Sequence, residues 1–196
     1  CRRSGGGTVN RSRASRHTAV IDGGLGRCTR TPGCANLQRG EVPMSPRFVT
    51  RDPFWVLGLQ RTASPFQMDY ESFWAEFARY ADQLAPLASA PGNYGVYFPT
   101  GVEELDIFAG VAVPADVEVP EGLVLREVAG GDFAVFESNI AELADTWVKI
   151  YQKWAPSSSR AADHHRPAYE WFSPEAMEGQ RPVLIHVPLE PLAAQD

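Results

Sequence analysis

All 21 aromatic residues of this 196-residue chain lie beyond Met44, while its three cysteines, Cys1, Cys28 and Cys34, all precede it. Residues 1–43 hold eight arginines against two acids, a net charge of +6, together with eight of the 17 glycines. With no aromatic residue and only scattered aliphatics, this segment cannot bury enough apolar area to offset its ordering entropy. It is expected to be a disordered basic extension, or sequence upstream of a true start at Met44. Two other readings compete. A basic arm could contact phosphates, but its arginines are neither interleaved with aromatics nor set at helical spacing. A metal site at Cys28 and Cys34 would need a spacing other than Cys-x5-Cys.

The folded domain is therefore expected over residues 44–196. It carries ten basic and 22 acidic side chains, a net of −12, which with the +6 gives the overall −6. Such a surface repels DNA, so direct DNA binding is not expected. The segment has no cysteine, which suits a reducing cytoplasm. No apolar run approaches the roughly 20 residues that span a bilayer, so no membrane partner is expected. No apolar stretch of a secretory leader follows the basic start.

Periodicity gives the elements. Residues 47–60 read as one strand, with Trp55, Leu57 and Leu59 on one face and Pro53 marking an edge or bend. Thr62 to Pro65 read as a turn and helix cap. Over 67–87, Tyr70, Phe73, Trp74, Phe77, Tyr80 and Leu84 recur at spacings of three and four, which predicts an amphipathic helix with an aromatic face. Residues 94–99 and 105–113 read as two strands. The order then restarts: a strand over 123–137 interrupted at Gly130 and Gly131, a helix over 140–154 capped by Ser138 or Asn139, and strands over 167–174 and 181–188. The expected fold is α+β, a tandem strand–helix–strand–strand repeat. It forms a two-layer antiparallel sheet with two helices and a ligand groove between the halves.

No nucleophile elbow, phosphate loop, dinucleotide fingerprint or zinc-protease motif is present. Asp163, His164 and His165 are adjacent residues that diverge in a polar loop, so no metal site is expected there. His186, in an apolar strand, reads as structural; no histidine stands as a haem ligand and no cofactor is expected. The informative segment is Tyr169-Glu170-Trp171-Phe172. On a strand, Glu170 and Phe172 share one face and Tyr169 and Trp171 the other. Glu170 points either to solvent or into an aromatic cleft, where desolvation would raise its pKa and a cationic ligand would find a partner. Helical Trp and Phe are more often core than binding site. Trp74, Trp147, Tyr151, Trp154 and Trp171 are nevertheless more than packing requires and favour a pocket, with Glu170, Phe172, Tyr97, Trp147, Tyr151 and Trp74 as its lining.

Four segments, in order, carry a resemblance. They are Tyr94-Gly95-Val96-Tyr97, Glu127-Val128-Ala129-Gly130-Gly131-Asp132-Phe133-Ala134-Val135-Phe136, Thr146-Trp147 with Ile150-Tyr151 and Trp154-Ala155-Pro156, and Tyr169-Glu170-Trp171-Phe172. Over roughly 47–192 the chain resembles the GyrI-like, or AraC-type effector-binding, domain in its stand-alone form. The resemblance implies the tandem fold, a groove between halves and a pocket glutamate, which Glu170 matches. Phe172 stands where that family often has tyrosine, and Ala155 occupies a Trp-Leu-Pro-like position. The function implied is binding and sequestering small lipophilic, cationic or planar aromatic molecules. The alternatives are a hydrolase opening cyclopropane-bearing DNA-alkylating toxins, and an effector-sensing or gyrase-interacting regulator. Residues 1–43 lack the helical periodicity of a helix-turn-helix module.

Overall fold

A computed structural model of the protein describes residues 44–101 and 103–192. The expectations for residues 1–43 lie outside the described residues. One antiparallel sheet holds eight strands: β1 (Arg47–Arg51), β2 (Phe54–Ala63), β3 (Asn93–Pro99), β4 (Leu105–Val113), β5 (Val124–Val128), β6 (Gly131–Ser138), β7 (Ala168–Phe172) and β8 (Val183–Pro188). Their order across the sheet is β1-β6-β8-β7-β3-β4-β2-β5. The two expected repeats are therefore present as β2-helix-β3-β4 and β6-helix-β7-β8, joined at a β3–β7 seam.

Two expected strands divide. Residues 47–60 and 123–137 each break into a pair, so each repeat gains a leading strand that pairs on the other repeat: β1 on β6 and β5 on β2. The breaks lie at Pro53, which has no N–H to give a ladder, and at Gly130. There the two chain segments touch: a Cβ on Gly130 would fall 2.6 Å from Pro53 N and 2.7 Å from Arg51 O. Only glycine permits that approach. Arg166 secures it by donating to the carbonyls of Gly130 (2.7 Å) and Leu189, and to Asp163 (2.8 Å). Asp132 links the same region, accepting from Thr50 (2.6 Å) and Arg160 (2.9 Å).

The first helix is shorter than expected. It comprises α1 (Tyr70–Ala78), then α2 (Ala81–Leu84) and a 3₁₀ turn to Leu87. Its cap is Asp69, which accepts from Ser72 N at 3.0 Å, rather than Thr62–Pro65. Those residues are unavailable because β2 stays paired with β4 as far as Ala63. The second helix starts where expected. Asn139 caps it: its Oδ1 accepts from Glu142 N and its Nδ2 donates to Glu142 Oε2, both at 2.9 Å. A 3₁₀ turn (Ile140–Glu142) leads into α3 (Leu143–Lys149), a π turn (Ile150–Trp154) and α4 (Ala155–Ser157).

Both helices cover one sheet face. Phe73 and Phe77 of α1 pack on Leu57, Leu59, Ile107 and Ala109. Ile150 and Trp154 of the π turn pack on Phe136, Ile185 and Val187. Each such large side chain, fully buried, stabilises the fold by roughly 1.5–3 kcal/mol. The opposite face curls on itself, because Val56, Phe108, Val128, Phe133 and Tyr169, from five strands, form one cluster. Among the described residues no helix is long and apolar enough to cross a membrane.

Candidate ligand-binding site

The seam between the repeats lies under the gap between the two helices. Here β3 and β7 pair in the register Asn93↔Phe172, Gly95↔Glu170 and Tyr97↔Ala168. Alternation then puts Gly95, Tyr97, Glu170 and Phe172 on the helix-covered face, and Tyr94, Tyr169 and Trp171 on the other. The face assignment expected for Tyr169-Glu170-Trp171-Phe172 is the observed one: Phe172 packs with Ala176 and Trp74, and Tyr169 with Phe133.

Glu170 is only 2% exposed. Its Oε1 accepts the Trp147 indole N–H at 2.5 Å, and the Tyr97 hydroxyl donates to the same carboxylate. Tyr97 meets the Tyr70 hydroxyl on its other side; its single proton being given to Glu170, Tyr70 supplies the proton between the two phenols. Burial pushes the Glu170 pKa up to about 7, against the pull of the Trp147 and Tyr97 donors. No positive charge of the described residues acts on it. Burial, then the neighbouring Glu170 charge, pushes Tyr97 well above the usual phenol range and Tyr70 up to about 12. Both phenols are donors at any physiological pH.

Rings surround this polar thread. Trp147 meets Tyr97 edge-on at 5.6 Å and stacks on Tyr151 at 5.8 Å. Trp74 meets Phe172 edge-on at 5.2 Å. Tyr151, 41% exposed, stands at the outer rim with His164 6.0 Å away. All six residues expected from the sequence thus gather about one carboxylate. Two more belong with them: Tyr70, recoverable from its i,i+4 relation to Trp74 on α1, and Gly95, which alternation places on the face of Tyr97. Away from this site, Asp163 is committed to Arg166 and to the His165 N–H, which hold its carboxyl below the usual range despite some burial. His186 is buried in its strand and stacked on Tyr169 at 4.2 Å, and its Nε2 has no partner among the described residues.

The comparisons with known proteins agree with this architecture. Three solved structures share the fold. SAV2435 bound to tetraphenylphosphonium matches with a TM-score of 0.61 at 14% identity, over 75% of this chain and 94% of that one. The integron cassette protein VCH_CASS2 from the mobile metagenome of Vibrio cholerae matches at 0.54 and 15%, over 74% and 96%. The EcmrR C-terminal domain matches at 0.53 and 11%, over 76% and 99%. No curated protein sequence matches the chain. The family of integron-associated effector-binding proteins, Cass2, matches residues 47–188. Bearing out the motif resemblance, the chain belongs to the Cass2 family of effector-binding proteins, within the GyrI-like fold.

Proposed function

We propose that this domain binds lipophilic organic cations, with Glu170 as the counter-charge and Trp74, Tyr97, Trp147, Tyr151 and Phe172 as the aromatic enclosure. The observation that carries this reading is a buried carboxylate with two hydrogen-bond donors and no cationic partner among the described residues. An ionised carboxylate so placed is costly until a positive charge joins it. A carboxylate has about four acceptor positions, so two donors leave capacity for that charge. Aromatic walls suit a cation whose charge is spread or shielded, adding cation–π attraction to apolar burial. Tetraphenylphosphonium, the ligand of the structurally similar SAV2435, has this chemistry. Tyr151, exposed at the outer rim and stacked on Trp147, is the side chain a ligand would meet first.

The test uses tetraphenylphosphonium and tetraphenylborate, nearly equal in size and opposite in charge, titrated at pH 8 by tryptophan fluorescence. The cation is expected to bind and the anion not. Glu170→Gln should weaken the cation by roughly 1–3 kcal/mol, the worth of a charged partner. Equal affinity for both ions, or no effect of Glu170→Gln, would sink the reading.

One observation favours hydrolysis as a second reading. The Tyr97 hydroxyl donates to Glu170, so a proton donor for the departing carbon and, once ionised, a base for an entering water stand side by side, the pair that hydrolysis of a strained electrophile uses. Mass spectrometry after incubation with a cyclopropane-bearing alkylating agent separates the two. A water adduct formed faster than in buffer indicates hydrolysis, and intact ligand indicates sequestration.

A further inference from the structure

Gly95 lies opposite Glu170 in the seam, and its backbone has an ordinary extended conformation rather than a positive φ. A Cβ there would meet Glu170 Oε2 at 2.9 Å, Trp74 Cζ2 at 3.5 Å and Phe172 Cε2 at 3.6 Å. At Gly58, Gly110 and Gly130 a Cβ would instead meet backbone atoms at 1.9, 2.6 and 2.6 Å. Those three glycines are therefore demanded by the close approach of chains. Gly95 is not: the atom in its way is the end of a flexible side chain, and the ring contacts are ordinary van der Waals distances.

We propose that Gly95 is the positioning residue of the binding site. Its missing Cβ lets the Glu170 carboxylate lie flat across the seam, with Oε1 on the Trp147 indole and Oε2 turned to the Trp74 and Phe172 rings. The ligand's positive charge is then received at the lone pairs that the Trp147 and Tyr97 donors leave open. An added methyl must push Oε2 back by about half an ångström, the tolerance within which a binding constellation keeps its geometry. The same shift draws Oε1 from the indole N–H. This inference rests on the cation-binding reading above.

A double-mutant cycle tests it on the full chain, with tetraphenylphosphonium at pH 8 and Tm recorded for every variant. Gly95→Ala is expected to fold with a nearly unchanged Tm and to bind about tenfold more weakly or worse. Glu170→Asp also weakens binding, but its shorter carboxylate no longer reaches a residue-95 Cβ. Adding Gly95→Ala to Glu170→Asp should therefore cost less than about twofold. The pH midpoint of binding should rise in Gly95→Ala, as the carboxylate leaves its donors. Wild-type affinity in Gly95→Ala, an equal loss in both backgrounds, or failure to fold in both overturns the proposal. An unchanged affinity in Glu170→Gln, or no binding of the cation to the wild type, would instead remove the cation-binding reading itself.

Discussion

Between about pH 4.5 and pH 7 the folded Glu170 keeps a proton that the unfolded chain has lost, because burial raises its pKa from 4.5 to about 7. Wherever the native state binds more protons, stability falls as pH rises. The effect saturates above pH 7, where the empty site is destabilised by about 3 kcal/mol relative to pH 4. His186 acts with the opposite sign at lower pH. Desolvation lowers its pKa from 6.5 to about 3, so stability is intact above pH 6.5 and lost as pH falls toward 3. At pH 5 that loss is already about 2 kcal/mol. Between about pH 4.5 and pH 6.5 the two slopes oppose and cancel, so urea unfolding should give a near plateau there, with a fall as pH rises through about 7. Glu170→Gln should unmask the His186 rise up to about pH 6.5 while weakening cation binding, so the variant is more stable and less functional at pH 8. A profile unchanged by Glu170→Gln would show that the carboxyl does not titrate there.

Elements end in this chain where a local signal and a tertiary contact coincide. A cap at Ser138 or Asn139 is legible in sequence, and the structure uses Asn139, whose side chain accepts the Glu142 N–H and donates to the Glu142 carboxylate. Asn139→Ala should cost about 1 kcal/mol in urea unfolding. The strand break at Gly130 has a different cause, the touching of two chain segments. Gly130→Ala must move backbone, and overpacking of that kind costs about 1–3 kcal/mol. If Gly130→Ala proved no more destabilising than Gly95→Ala, the distinction between chain crossing and carboxylate room would be wrong. The π turn is a further case. It turns Ile150 and Trp154, fully buried and 8% exposed, to the core while Tyr151 stays at the groove rim.

At the scale of the molecule, the two repeats are held together by exchanged strands as well as by the seam, and Arg166 joins the places where they cross. Its guanidinium reaches three carbonyls, of Gly130, Asp132 and Leu189, as well as Asp163, and lies 5.5 Å over the Phe133 ring. Arg166→Met keeps the apolar stem but leaves those carbonyls and a partly buried carboxylate without their donor. A loss of about 1.5–3 kcal/mol is expected, in the range for hydrogen bonds to a charged group, because Arg166 and Asp163 both keep contact with solvent. Calorimetry at pH 8 would show it as a Tm drop of roughly 3–12 °C for a domain of this size. A ligand acts in the other direction. Tetraphenylphosphonium at 100 times its Kd should stabilise the native state by about 2.7 kcal/mol, and that gain should shrink below pH 6, where Glu170 is protonated.

Local information sufficed for much of this. Alternation placed Glu170 and Phe172 on one face, the 3–4 spacing found both helices, and the restart near residue 123 disclosed the repeat. Each of these follows from neighbours in the chain and the fixed periods of helix and strand. Three things did not. The eight-strand count depends on β1 and β5 pairing across repeats, which no local pattern encodes. That Glu170 is buried, rather than facing water, depends on the donors Trp147 and Tyr97, 23 and 73 residues away. The need for glycine at 95 exists only once β3 and β7 are in register, because it arises from a side chain on another strand and not from the backbone of residue 95 itself.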